Sequence, residues 1–178
     1  RRPLEANRIL KLFEELGIEP SNNSISFLIG TTAKCGFINE AVKFYKKLKL
    51  QLNETTSMPE TRSLLVTSAA NHLLSAYLRD DNFEKFFNLI DELGLERRDK
   101  HTNTMLFDAL SRTRDKERLK KELELSKLKF MKSSMEISSL FNCLFSNFDS
   151  EEGLINEFIN KIVEVKEGNE NRRDIELI

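Results

Sequence analysis

Residues 23–48 read NSISFLIGTTAKCGFINEAVKFYKKL and contain two helical patterns separated by a glycine, Gly36. The first pattern has its apolar or small side chains at Ile25, Leu28, Ile29 and Thr32. The second has them at Ile38, Ala41, Val42, Tyr45 and Leu48. This spacing places side chains on one face of a helix, and a glycine can end a helix in the left-handed conformation. The stretch therefore predicts two amphipathic helices joined by a short turn.

The same pattern recurs along the chain. Glu5-Ala6 precedes Glu40-Ala41 by 35 residues. Further apolar stripes at helical spacing occur at 70–77, 83–93, 105–110, 119–128, 137–148 and 154–165. A pair of amphipathic helices cannot bury both stripes alone, and stacked pairs bury a continuous core. We therefore predict an all-α protein built as an α-solenoid of helix-turn-helix repeats.

The predicted solenoid covers residues 1–165 and has about four and a half repeats. Residues 1–21 are expected to be the second helix of a partial repeat, so that a first helix would precede them in the natural protein. The full repeats are assigned to residues 22–50, 67–98, 99–133 and 134–165. Residues 51–66 are a polar insertion, either an enlarged loop or a lengthened helix end, and residues 166–178 are a polar tail.

The composition excludes several classes of protein. Charged residues make up 32% of the 178 residues but nearly cancel, leaving a net charge of −1, so no strongly basic arm is present. Two cysteines do not make a disulfide framework. The sequence contains no run of 18 apolar residues, which a membrane-spanning helix would need. His72 and His101 have no partners at metal-ligand spacing, and no phosphate loop occurs. We therefore expect no catalysis and no cofactor.

The repeat resembles the pentatricopeptide repeat family. The resemblance is carried by residues 22–29, by Ala33-Lys34-Cys35-Gly36, and by residues 39–48. It is also carried by Thr102-Asn103-Thr104-Met105-Leu106 and by GIEPS at residues 17–21. The resemblance implies a right-handed solenoid that binds single-stranded RNA and acts in RNA stability, processing or translation. Such proteins usually act in mitochondria or chloroplasts, and we expect a mitochondrial location here. Such repeats read one base each with a few side chains.

The resemblance also implies which residues would contact RNA. The main base-reading position falls on Ser26, Asn71, Asn103 and Ser138, and the second reading position on Ser21, Val66, Arg98 and Ser133. Asn103 with Ser133 would suit a pyrimidine. The basic residues expected at phosphates are Lys34, Arg79 and Arg112. At the position where bases are usually sandwiched, Asn23, Ser68 and Lys100 are polar and Met135 alone is apolar.

Each of these assignments has a structural alternative. Ser26 and Asn103 could be N-caps of their helices, and the three basic residues could favour helix C-termini through the macrodipole. At the level of function, the alternative is a repeat scaffold that binds protein, for example inside a mitochondrial ribosome or an RNA-processing complex. The near-neutral charge favours the scaffold, whereas the register of Asn and Ser residues favours RNA.

Overall fold

The computed structural model describes residues 15–54, 59–126 and 134–148, together with residues 8, 11, 12, 156 and 160. Within these residues the protein is all-α, with seven α-helices, one 3-10 turn and no strand. The helices are α1 (Asn22–Lys34), α2 (Ile38–Glu54), α3 (Pro59–Arg79), α4 (Phe83–Leu93), α5 (Lys100–Thr113), α6 (Lys116–Ser126) and α7 (Ser134–Phe148). The chain divides into two compact units, residues 1–102 (unit 1) and 103–178 (unit 2).

The apolar stripes identified in the sequence form the core of each unit. Ile25, Leu28, Ile29 and Thr32 of α1 are all buried. The equivalent stripe of α3, at residues 70–77, is also buried at its four predicted positions. Because burial of apolar surface is the main favourable term in folding, these stripes determine which face of each helix points inward. None of the helices in the described ranges is long and apolar enough to cross a membrane.

Unit 1 is a stack of two helical hairpins in which α3 has the central position. It packs against α1 and α2 of the first hairpin and against α4 of its own. α1 and α3 approach closely at Gly30, where an added Cβ would lie 2.9 Å from Nε2 of His72. At the C-terminal ends of the same two helices, the Arg79 guanidinium donates to the carbonyl oxygens of Ala33, at 3.2 Å, and Lys34, at 3.5 Å. The first helices of successive hairpins are therefore parallel neighbours.

The turn within each hairpin has a repeated backbone geometry. A residue with positive φ follows the first helix in each case: Gly36 (φ 88°), Asp81 (φ 51°) and Arg114 (φ 53°). After the first two of these residues the next N–H bonds back into the preceding helix, from Phe37 to Thr32 O at 2.9 Å and from Asn82 to Tyr77 O at 2.8 Å. This six-residue closure is the Schellman motif, which satisfies carbonyl groups at the helix end. The sequence predicted it only at Gly36.

The polar insertion at 51–66 is helical at both ends. α2 continues to Glu54 and α3 begins at Pro59, while residues 55–58 lie outside the described residues. Proline is well tolerated in the first turn of a helix, because its missing N–H has no intrahelical partner there. Lengthened helix ends therefore account for the described part of the insertion.

Unit 2 contains most of α5 and all of α6 and α7. Hydrogen bonds near the C-terminal ends of α5 and α7 join the two helices: the Ser111 hydroxyl lies 2.9 Å from that of Ser146, and the Asn147 amide donates to Leu110 O at 3.2 Å. Leu119 and Leu123 of α6 are buried, as are Leu140 and other core residues of α7. The remainder of the predicted repeat at 134–165 falls largely outside the described residues.

The hairpin turns allow a direct test of backbone strain. We expect Gly36→Ala to lower the free energy of unfolding by about 1 kcal/mol, because an L-residue is strained at positive φ. No atom lies within 4 Å of the Cβ that the substitution adds, so the effect is not a clash. At the equivalent position, Arg114→Gly should raise the free energy by up to about 1 kcal/mol. Urea denaturation followed by circular dichroism measures both.

Arg114→Ala is the matched control, because it removes the same side chain and keeps a Cβ at positive φ. It should leave stability within about 0.5 kcal/mol of the wild type. If Arg114→Ala stabilises as much as Arg114→Gly, the gain comes from losing the arginine and the strain explanation is wrong.

Candidate nucleic-acid interface

The candidate base-reading residues of unit 1 lie beside the solvent-facing stripes of α1 and α3. On α1, Asn23, Phe27 and Lys34 are exposed, and Ser26 is half-buried next to them. Ser26 is the fifth residue of its helix, so it is not the N-cap. That role belongs to Ser21, whose hydroxyl accepts a hydrogen bond from Ser24 N–H at 3.2 Å.

On α3 the exposed stripe is formed by Leu64, Ser68 and Ser75, with Asn71 half-buried among them. Residues at this spacing share one face of a helix. Leu73 and Tyr77 lie on the opposite face and are buried. Asn71 therefore lies on the side of α3 opposite to Leu73 and Tyr77.

The Asn71 side chain is held by the first turn of α5. Its Nδ2 lies 3.1 and 3.0 Å from the two carboxylate oxygens of Asp99, to which it donates. Its Oδ1 accepts from the Thr102 hydroxyl at 2.7 Å. An asparagine amide has two N–H donors and an oxygen with two lone pairs, so these contacts use only part of its capacity. The amide is thus fixed in orientation and can still bond to a ligand.

Asp99 also organises the start of α5. Its Oδ1 accepts from Thr102 N–H at 2.8 Å, and its own N–H donates to the Thr102 hydroxyl at 3.3 Å, which is a reciprocal cap. Partial burial by itself would raise the pKa of the Asp99 carboxyl. The hydrogen bonds from Thr102 and Asn71, with the charge of His101, outweigh it and lower that pKa below its ordinary value. The group that orients Asn71 is therefore an ionised carboxylate at neutral pH.

Unit 2 repeats the amide–carboxylate contact. Asn103 Nδ2 donates to Glu136 Oε1 at 3.0 Å, joining α5 to the first turn of α7. Asn103 is the fourth residue of α5 and is half-buried, so it too is not an N-cap. Glu136 is itself buried. The two asparagines expected at the main base-reading position are therefore each fixed by an acidic residue at the start of the following first helix.

The three basic residues expected at phosphates lie in the last turns of α1, α3 and α5. Arg79 caps the end of α1 and pairs with Asp80 at 2.9 Å, and Arg112 pairs with Asp108 at 3.0 Å. Lys34 is exposed and makes no ion pair with any residue that the structure describes. Burial of the His72 ring lowers the pKa of His72, and the charge of Lys34 lowers it further. Among the described residues, Lys34 is thus the one of the three whose charge is not compensated by an ion pair.

The remaining candidate residues differ in their surroundings. Arg98, assigned to the second reading position with Asn71, donates instead to Ile90 O at 3.4 Å. The residue that contacts Asn71 is the next one along the chain, Asp99. The sequence analysis missed Asp99 because the family pattern assigned the second reading position to Arg98, one residue earlier. Ser138 is exposed on α7. Val66 is buried in α3, and Ser133 lies outside the described residues.

Exposed apolar side chains accompany the candidate residues in both units. Phe27 follows Ser26 directly and is 73% exposed. On α7, Met135 and Phe145 are 57% and 53% exposed and lie on the same face as Ser138. Phe27 could have been identified in the sequence, because it interrupts the α1 pattern without belonging to the buried stripe. An exposed ring beside a hydroxyl is the combination that stacks on a nucleobase and bonds to its edge.

The described residues contain no group of three His, Cys, Asp or Glu side chains arranged to hold a metal ion. Both cysteines are free. Cys143 is buried in α7, and this burial, reinforced by the charge of Asp108 and opposed by a hydrogen bond from Asn147, raises the pKa of its thiol to about 12. A thiol with so high a pKa is a poor nucleophile near neutral pH.

Comparison of the chain with protein-family models finds no matching family, and comparison with curated proteins finds no match.

The Asp99 cluster makes a specific contribution to the pH dependence of stability. Because the folded-state pKa of Asp99 is lowered, its contribution is complete above the ordinary value of 3.8 and is lost as the pH falls through the folded-state pKa. We therefore expect Asp99→Asn to lose less stability than the wild type between about pH 5 and pH 2. Urea unfolding at a series of pH values measures the difference.

Asp115→Asn is the control. Asp115 accepts a hydrogen bond from Arg118 N–H at 3.0 Å at the start of α6, and within the described residues its carboxylate receives no hydrogen bond from a neighbouring helix. The stability that the Asp115→Asn variant loses as the pH falls should be closer to the loss in the wild type. Identical pH profiles for the wild type and Asp99→Asn would show that Asn71 and Thr102 do not stabilise the carboxylate.

Proposed function

We propose that this chain is a single-stranded RNA-binding protein built from pentatricopeptide-type repeats, whose helix pairs continue as a right-handed solenoid. The observation that supports it most is the fixed amide at the main base-reading position, seen as Asn71 with Asp99 and as Asn103 with Glu136. A side chain already held in one orientation loses less entropy on binding. An asparagine amide presents both a donor and an acceptor, which matches the Watson–Crick edge of a base.

Stacking would supply much of the affinity in this proposal. Polar residues occupy most of the positions that sandwich bases in such repeats, but Phe27 in unit 1 and Phe145 in unit 2 expose aromatic rings. Base–aromatic stacking contributes roughly 1–3 kcal/mol per base, which exceeds one hydrogen bond at about 1 kcal/mol. Ser26 and Phe27 together would form one base site, and Asn71 the next.

The cellular role follows from the family resemblance. We propose that the chain acts in mitochondrial RNA stability, processing or translation, with Lys34 as the phosphate contact that is accessible in unit 1. Arg79 and Arg112 would contribute only if they exchanged their present partners for phosphates. RNA binding should be salt-sensitive, because each phosphate that a lysine or arginine neutralises releases counterions.

A protein-binding scaffold is the second candidate, and the same arginines favour it. Arg79 is engaged at the end of α1 and Arg112 is paired with Asp108, so neither is available as a spare cation. A surface whose arginines are bonded to other groups of the same chain suits a protein-binding component of a larger assembly, such as a mitochondrial ribosome. RNA binding by the isolated chain decides between the candidates.

The RNA proposal predicts that the fixed amides matter. In titrations with fluorescein-labelled ten-nucleotide RNAs, the Asn71→Ala, Asn103→Ala double variant should lose about 2 kcal/mol of binding free energy, roughly thirtyfold in affinity. It should also alter the preference among RNAs of different sequence. The control is Asn39→Ala with Asn88→Ala, two exposed asparagines of α2 and α4, which should bind as the wild type does. Failure of the wild type to bind at low salt would favour the scaffold.

Phe27 gives a separate prediction. Phe27→Ala should weaken RNA binding by about 1–3 kcal/mol, whereas Phe27→Tyr keeps a stacking ring and should retain the affinity. Leu64→Ala is the matched control, because Leu64 is 71% exposed on α3 but has no aromatic face. Equal losses in Phe27→Ala and Leu64→Ala would mean that general apolar contact, and not stacking, is being measured.

A further inference from the structure

A groove lies on the other side of unit 1, between the two second helices. It is lined by Val42, Tyr45, Lys46 and Lys49 of α2, by Leu73 and Tyr77 of α3, and by Lys85, Asn88, Leu89 and Glu92 of α4. Its volume of about 270 Å³ lies just below the roughly 300–1,000 Å³ of typical small-molecule sites. A groove of this size suits a few side chains of a partner better than a cofactor.

The floor of the groove is apolar. Leu73, Leu89 and the rings of Tyr45 and Tyr77 are all buried, and Val42 is half-buried beside them. Burial, together with the charge of Glu92, raises the pKa of both tyrosines, so each remains a neutral phenol. The floor of the groove can therefore contact aliphatic side chains without placing a charge against them.

The rim of the groove is positively charged. Lys49 pairs with Glu92 across the groove and lies 5.7 Å from the centre of the Tyr45 ring, so its charge is largely compensated. Lys46 and Lys85 are exposed on opposite sides, one on α2 and one on α4. Neither makes an ion pair with any of the residues that the structure describes. Two uncompensated ammonium groups thus flank an apolar floor.

We propose that this groove binds an acidic peptide segment of a partner protein, with one or two aliphatic side chains on the floor and carboxylates at Lys46 and Lys85. Charge complementarity identifies the occupant, since opposite charges at a rim steer association and select the partner. An amphipathic helix lying in an apolar groove is a common form of such recognition.

Single-stranded RNA fits the groove less well. Stacking on exposed rings is the usual source of affinity for unpaired bases, but Tyr45 and Tyr77 are only 5% and 6% exposed. The groove also uses the face of α3 opposite Asn71, so it does not depend on the proposed RNA site. A protein partner and an RNA could occupy unit 1 together.

The test uses three twelve-residue peptides and a ten-nucleotide oligouridine, each labelled with fluorescein. The first peptide combines glutamates with leucines at i and i+4, the second replaces its leucines with serine, and the third replaces its glutamates with lysine. We expect saturable binding of the Glu/Leu peptide, with at least about tenfold weaker binding of the other two. In methyl NMR spectra the Glu/Leu peptide should shift the signals of Val42, Leu73 and Leu89.

Charge reversal at the rim provides the decisive variant. Lys46→Glu with Lys85→Glu should weaken binding of the Glu/Leu peptide at least about tenfold. The matched control is Lys43→Glu with Lys47→Glu, which makes the same charge change at exposed α2 positions outside the groove lining. It should change binding less than about threefold. All four lysines are exposed, and circular dichroism verifies that each variant is folded.

Three results would overturn the proposal. The first is equal weakening by the two double variants, which would indicate attraction without a site. The second is no saturable binding of the Glu/Leu peptide up to about 1 mM. The third is oligouridine binding that the Lys46→Glu, Lys85→Glu variant abolishes, which would assign the groove to RNA. None of these outcomes depends on whether Asn71 and Asn103 read bases.

Discussion

The packing of α3 is the interaction on which unit 1 depends. This helix packs against α1, α2 and α4, and the exposed side chains among its residues 63–79 are Leu64, Ser68, Ser75 and Arg79. Leu73 and Leu74 on its inner side are almost completely buried. Truncating a buried leucine to alanine typically costs about 2–5 kcal/mol. Because α3 also supplies Asn71 to one surface and Tyr77 to the other, a loss of its packing would disturb both candidate sites.

Electrostatics divides the candidate residues into two groups. The acidic residues Asp99 and Glu136 hold Asn71 and Asn103 in place, and such fixed polar groups favour selective binding. The arginines at the ends of the first helices are instead bonded to carbonyls or carboxylates of the protein itself. Exposed pairs of this kind contribute little to stability, at about 0–1 kcal/mol each. They do place a carboxylate beside each of the two arginines.

The two faces of unit 1 therefore offer different chemistry. On the face of the first helices, a hydroxyl, a fixed amide and an exposed phenyl ring suit flat, polar-edged ligands such as bases. On the face of the second helices, buried tyrosines and leucines lie between lysines, which suits an acidic, aliphatic segment of protein. A repeat architecture produces this separation naturally, since each hairpin contributes one helix to each face.

The sequence by itself determined the all-α fold, the helix pairs and most of the core, because helical periodicity depends only on which residues are apolar. It also placed the turn at Gly36, since glycine adopts positive φ without strain. It could not reveal the positive φ of Arg114, where the closure of the hairpin imposes a conformation that arginine does not prefer. The pairing of Asn71 with Asp99 and the capping of α1 by Arg79 depend on the tertiary structure. Each depends on how neighbouring helices are placed against one another, which local patterns do not encode.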